Sequence, residues 1–468
     1  MKKLTFALFY GNRGFFPGEL IESAREEMRA AVHALGIETI ELDASLTRFG
    51  AVETIAEGKI YARFLEENRG KFDGVILCLP NFGDENGAVA ALQDANVPIL
   101  LQAYPDEMGL MDFAHRRDAF CGKLSIADVF RQSGIAFTTF DPHVCHPSSD
   151  LFRKQLITFA SVCSVVRRLS RFNVGAVGAR TTVFKTIRFD ELTLQSYGIN
   201  TETLDLSQLF AMMREVDKSS EEFKSARAKI SAVSDFSKVP GDQIDNQAAL
   251  YLSLKKIAKD FDLGAMGLRC WNEMQNEFRI TPCTVMGILN GEDLSVACEL
   301  DVCNAIAMAA LEAAADLPAI CMDWNNNYGD DPDKCILFHC GSVASELMVE
   351  KGSIISHKML DKGKENLGGV AWGCNQGRVK PGPMTYLSAK TEDGILSFYL
   401  GEGYITDDVI EEGYFGCAGV AEIGGLQPLL NGICREGFRH HVSLTLAHVE
   451  DALREAFDTY LGYDIVEI

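Results

Sequence analysis

Positive charge is scarce in this sequence. Lys and Arg number 44 against 66 Asp and Glu, a net charge of −22. So acidic a chain lacks the clustered basic surface that a broad nucleic-acid footprint requires, and it is ill suited to an anionic membrane. Long apolar runs are missing too: no segment reaches the about 18 residues of a spanning helix. The opening MKKLTFALFY is a short apolar run broken by Gly-Asn-Arg-Gly, with no small-residue cleavage site, so it reads as a first strand and not as a signal peptide. A cytoplasmic location without membrane or nucleic-acid partners is the expectation. The 14 Cys contain no C-x-x-C pair and lie mostly within apolar stretches, the pattern of reduced, buried thiols. There is no G-x-S-x-G elbow, no Walker loop and no dinucleotide G-x-G-x-x-G.

What is present is ordinary globular chemistry, 47% hydrophobic and 24% charged over 468 residues, enough for about three domains of roughly 150 residues. Strand candidates LTFALFY, IETIEL, FDGVILCLP and VPILLQAY alternate with helical periodicity, including apolar Leu20, Ile21, Met28, Ala31 and Leu35. Such alternation implies a parallel sheet covered on both faces. The pattern restarts at Phe172-Asn-Val-Gly-Ala-Val-Gly-Ala179 and continues through TETLDL and residues 264–270. Later, MTYLSAK and ILSFYL flank Thr-Glu-Asp-Gly, a hairpin signal. The predicted fold class is α/β: two Rossmann-like α/β domains, 1–165 and 166–345, then a smaller, mostly β domain, 346–468, closing on a helix at 449–461.

The chemistry concentrates in residues 294–341. Three successive strand candidates each finish on a possible metal ligand: Leu294-Ser-Val-Ala-Cys298 at Glu299, Leu317-Pro-Ala-Ile-Cys-Met322 at Asp323, and Lys334-Cys-Ile-Leu-Phe338 at His339. The carboxyl ends of parallel strands share one edge, where ligands bind, so this arrangement would bring the three together. Oxygen donors suit Mn²⁺ or Mg²⁺, and an imidazole shifts the preference toward Mn²⁺ or Co²⁺. Near the C-terminus stands Arg439-His440-His441. Neighbours on a strand point to opposite faces, so one of the two His is expected in a given site.

These segments resemble the L-fucose/L-arabinose isomerase superfamily. Cys298-Glu-Leu-Asp-Val-Cys-Asn-Ala305 is similar to the segment carrying that family's first metal-binding Glu, Met322-Asp-Trp324 to its second carboxylate segment, and Arg439-His-His-Val442 to its terminal His-His segment. The resemblance implies Glu299, Asp323 and His441 as ligands of a divalent metal, Mn²⁺ above Co²⁺ or Mg²⁺. Glu299 and Asp323 would also be the acid/base groups. Phe338-His339-Cys-Gly resembles the arabinose-type segment that supplies a further His near the metal. The implied activity is aldose–ketose isomerisation of an open-chain sugar through a cis-enediol. Asp323 matches the fucose type and His339 the arabinose type. That mixture leaves open L-fucose- or L-arabinose-type aldoses and the sulfonated hexose of the family's sulfoquinovose isomerases. The resemblance also implies a homohexamer with sites between subunits, Arg13 reaching a neighbour's sugar. Trp271, Gln275 and Asn375 are further candidate substrate contacts, with Arg378 and Lys380 as candidate cations for an anionic group. The competing readings are a sugar-binding protein without catalysis and a sugar epimerase on the same scaffold. Chelator-sensitive conversion of an aldose to its ketose separates them.

Overall fold

The structure, a computed structural model, describes residues 3–361, 369–411 and 413–468. The chain folds into two compact units, residues 1–167 with 451–462, and residues 168–450 with 463–468.

In the first unit, strands β1 (Thr5–Tyr10), β2 (Glu38–Glu41), β3 (Gly74–Leu79) and β4 (Ile99–Ala103) form a parallel sheet in the order β2-β1-β3-β4. β3 and β4 are buried throughout, which accounts for their continuous apolar sequence. Helices such as Glu19–His33 and Ile55–Glu67 cover the sheet, the latter capped by the Thr54 side chain accepting from the Glu57 amide.

The second unit opens with another parallel sheet, made of β5 (Phe172–Val177), β6 (Ile199–Leu204), β7 (Ala265–Leu268) and β8 (Ser295–Cys298), in the order β6-β5-β7-β8. The remaining strands are β9 (Ile320–Asn327), β10 (Lys334–His339), β11 (Ser353–Ser356), β12 (Trp372–Arg378), β13 (Gly382–Glu392), β14 (Ile395–Ile405), β15 (Cys417–Glu422), β16 (His441–Thr445) and β17 (Asp464–Ile465). They form one sheet, ordered β11-β12-β15-β10-β9-β16-β13-β14-β17, and β15 also pairs with β14. That extra pairing closes β15, β10, β9, β16, β13 and β14 into a six-stranded antiparallel barrel. A mixed α/β fold with parallel sheets and a β-rich C-terminal part is therefore what the chain adopts.

The expected parallel run of strands stops at β8. β9 and β10 do not extend its sheet; they are antiparallel neighbours in the barrel. The reason is chain length. Only residues 328–333 separate them, and a parallel return needs a crossover of about a dozen residues or more. Between the sheet and the barrel lies helix Val302–Ala315, buried over nearly its whole length. It packs on β5, β7 and β8 on one side and on β13 and β16 on the other. An Ala-rich, all-round apolar helix suits a position enclosed by two sheets.

Candidate active site

Glu299 and Leu300 turn the chain sharply from β8 into helix Val302–Ala315. Both adopt left-handed backbone, φ 61° and 71°, a conformation that costs a non-glycine residue roughly 1–3 kcal/mol and persists only where surroundings enforce it. Part of the enforcement is Gly267 on β7: a Cβ there would lie 2.9 Å from the Leu300 carbonyl carbon and 3.2 Å from the Asp301 amide. The turn thus rests directly on the neighbouring strand.

Cross-strand register brings the other side chains to it. Asp323 pairs with His441 across β9 and β16, and with Phe338 across β9 and β10. His441 Nε2 lies 3.3 Å from Glu299 Oε2 and 3.5 Å from Asp323 Oδ1. All three atoms are buried, and among the described residues none makes a hydrogen bond. Three orphaned polar atoms facing one point would be costly unless something bridged them. Their donor set, two carboxylates and an imidazole, is what a divalent cation of the manganese class prefers. The residues present therefore fit a metal.

The surroundings fix these side chains. Asp301, fully buried, accepts from His441 Nδ1 at 2.8 Å, forms an ion pair with buried Arg439 and caps the following helix at the Asn304 amide. With Nδ1 so engaged, Nε2 is the nitrogen presented to Glu299 and Asp323. Burial would raise the pKa of Asp301, but Arg439 and then His441 outweigh it and hold the carboxyl far below its usual range. Glu299 is likewise lowered: its burial is overcome by His441. Burial opposes protonation of His441, yet Asp301 and Glu299 raise its pKa to about 10. Ser388 donates to the His441 carbonyl and Ser443 to Asn304, which completes the buried network.

His339 belongs to the same cluster, within 4.8 Å of Asp323 and His441 donor atoms. Its Nδ1 accepts from the Cys340 amide at 2.9 Å, which leaves Nε2 as the nitrogen available to other partners. Trp271 Nε1 donates to Glu299 Oε1 at 3.3 Å. Gln275 is buried, its amide donating to the Cys270 and Ile280 carbonyls. Asn375 is buried too, accepting from Ser234. Arg13 lies in the first unit, ion-paired with Glu85 and over the Phe82 ring. Lys380 is exposed and donates to the Glu346 carbonyl.

Arg378 stands apart from the other cations. It is half-buried, donates to the Gly377 carbonyl and packs over Tyr414. Among the described residues it has no carboxylate partner. In register across adjacent strands it belongs to the rung Arg378, Ala418, Phe338, Asp323, His441. Residues of one rung share a face of the sheet.

Sequence reasoning missed three residues. Asp301 and Arg439 stood within the segments quoted above but were given no role; the signal available was their adjacency to Glu299 and His441. His440 was set aside by strand alternation. It precedes β16, so the alternation does not govern it, and its ring centroid lies 4.4 Å from that of His441. Its Nε2 is 3.7 Å from Asp323, and Phe184 stacks on it.

Two family models match the chain: the fucose/sulfoquinovose isomerase N-terminal domain over residues 7–170, and the L-fucose isomerase C-terminal domain over 337–468. Glu299 and Asp323 lie between the matched spans; His339 and His441 lie within the second. A sulfoquinovose isomerase of Alkalicoccus urumqiensis is 21% identical over 406 residues, 84% of this chain and 85% of that protein. A sulfoquinovose isomerase of Clostridium sp. (strain MSTE9) is 26% identical over 204 residues, 43% of this chain and 45% of the relative. One from Priestia aryabhattai is 22% identical over 299 residues, 61% and 63% of the two chains.

Proposed function

The chain belongs to the fucose isomerase superfamily and is an aldose–ketose isomerase, and from that premise we propose that it converts a six-carbon aldose bearing an anionic group, sulfoquinovose first, to the ketose with a divalent metal, Mn²⁺ above Co²⁺ or Mg²⁺. The observation that carries the metal reading is the convergence of orphaned Glu299 Oε2, Asp323 Oδ1 and His441 Nε2. Those three residues would hold the ion, which when bound supplies Lewis-acid polarisation of the sugar's oxygens.

The remaining work falls to the chain. Isomerisation moves one hydrogen from C2 to C1 and one from O2 to O1. Glu299 and Asp323 are the candidate proton carriers. The lowered pKa of Glu299 keeps its carboxylate ready to take the C2 proton, giving the cis-enediol, and to return it at C1. Trp271 fixes the other oxygen of Glu299. His339 offers an N–H to a sugar hydroxyl. Asp301, by holding His441 Nδ1, keeps the imidazole in one tautomer and orientation.

Glu299→Gln and Asp323→Asn should each abolish turnover and weaken Mn²⁺ binding while leaving the unfolding transition in place. Full activity in metal-stripped Glu299→Gln would end this reading.

Substrate choice rests on Arg378 and on what the curated relatives are named for. A half-buried guanidinium without a carboxylate partner among the described residues suits a sulfonate, because its planar fork donates several hydrogen bonds. An uncharged sugar would leave it unpaired. Arg378→Ala should therefore cost roughly 2–5 kcal/mol in kcat/KM for sulfoquinovose and barely change glucose or L-fucose. A tenfold preference of the native enzyme for L-fucose would overturn the anionic substrate and leave the isomerase. The assembly carried over from the family is a homohexamer, with Arg13 of one subunit serving a neighbour's site.

A further inference from the structure

We propose that Cys270 and Cys298, together with Glu299, form a second cation site, selective for a thiophilic divalent ion such as zinc or cadmium, whose occupation inhibits the enzyme. The two sulfurs lie 3.3 Å apart. One donor atom from each of Cys270, Cys298 and Glu299 lies within 4.8 Å of the others. The placement follows from the parallel sheet. Cys298 ends β8, opposite Leu268 at the end of β7, and Cys270 follows two residues later. Neighbouring strand ends thus deliver two thiols to one point. Both are buried, 7% and 2% exposed, so the pair is not a chance encounter of surface side chains.

The space beside them is sulfur-rich. A cavity of about 240 Å³ is lined by Cys270, Cys283, Cys298, Cys340, Trp271 and His357, among others, and reaches Glu299. It has room for an ion and its remaining water. The donor chemistry separates the two sites. Two thiols and a carboxylate select soft or borderline ions, whereas Glu299, Asp323 and His441 suit manganese. The Cys298 thiol donates to the Cys270 sulfur when no ion is bound. Ligation is then a proton exchange. Each thiol gives up its proton to solvent as its sulfur bonds the ion, and nothing is oxidised or reduced. Glu299 belongs to both donor sets, so an ion on the sulfur side engages a carboxylate the isomerase needs. The inhibition rests on the isomerase reading above; the binding does not.

The test uses the full chain with exposed Cys121 and Cys434 replaced by Ser, saturated with Mn²⁺ and titrated with Cd²⁺. One equivalent should produce a sulfur-to-cadmium ultraviolet absorption, and Cys270→Ser or Cys298→Ser should remove it. X-ray absorption on the zinc-loaded protein with its native cysteines, which needs no variant to fold, should show two sulfur neighbours. Cadmium should lower turnover, and each Ser variant should raise the inhibitory concentration at least tenfold. The site is refuted by an absorption that survives in both variants, by nitrogen and oxygen neighbours alone, or by a Cys270–Cys298 disulfide in air-handled protein that binds no cadmium after reduction. Cadmium absorption without isomerisation of any aldose would keep the site and remove the isomerase; turnover without the absorption would do the reverse.

Discussion

Asp301 shows how one side chain can set the state of several others. It is buried between Arg439 and His441, pairing with one nitrogen of the guanidinium and fixing the imidazole. Asp301→Asn keeps the shape and removes the charge. Loss of such an outer partner typically costs 10–100-fold in metal affinity, so Mn²⁺ affinity should fall by about that factor. Leaving Arg439 buried without its partner should also destabilise the fold by roughly 3–5 kcal/mol. The pH dependence has a definite sign. The folded-state pKa of Asp301 is depressed, so its contribution is present above the unfolded carboxyl pKa of about 3.9. As pH falls below that value, the unfolded chain takes up the proton first, and the contribution is lost toward the folded pKa. Denaturant titrations of the native and Asn chains should therefore differ at pH 6 and converge as pH drops below about 4. A gap that stays constant down to pH 2 would show that the charge is not what stabilises.

At the scale of elements, the site depends on how closely the turn after β8 sits on β7. Gly267 permits that approach, and the atoms a side chain would strike are backbone, which cannot swing aside. Gly267→Ala should displace the turn and Glu299 with it. Overpacking of this kind costs about 1–3 kcal/mol, and an ångström of misplacement is worth about a hundredfold in rate. The expected result is a modest fall in melting temperature with a disproportionate fall in kcat. Unchanged kinetics would mean that the turn adjusts without moving its carboxylate. The barrel contributes differently: its antiparallel pairing puts Asp323 opposite His441 by register, so a one-residue slip of β9 would send Asp323 to the other face.

For the molecule as a whole, the first unit holds Arg13 and the second holds Glu299, Asp323 and His441. Arg13 is ion-paired with Glu85, and its proposed role is to act on a neighbouring subunit. Mixing Arg13→Ala with Glu299→Gln subunits should then restore part of the activity that each lacks alone. Mixed oligomers that stay inactive after verified subunit exchange would argue for a self-contained site. The net charge of −22 adds no general attraction for the proposed anionic sugar, so its recognition would have to come from local cations such as Arg378.

Local sequence determined most of the elements. β1, β3, β4 and β5 coincide with apolar runs, and β13 and β14 flank the predicted Thr-Glu-Asp-Gly turn, because period and turn chemistry act within a few residues. Glu299, Asp323, His339 and His441 were also legible, as rare polar residues at or near the ends of such runs and through the family resemblance. Why they meet was not legible. The parallel-edge argument reached a cluster that actually arises where a parallel sheet abuts an antiparallel barrel. Strand pairing joins residues more than a hundred positions apart, such as Asp323 and His441. No local pattern encodes that register. The left-handed turn at Glu299, the Asp301–Arg439 pair and the contact of Cys270 with Cys298 are likewise products of packing. Each depends on which distant backbone fills the neighbouring space, and only the tertiary structure decides that.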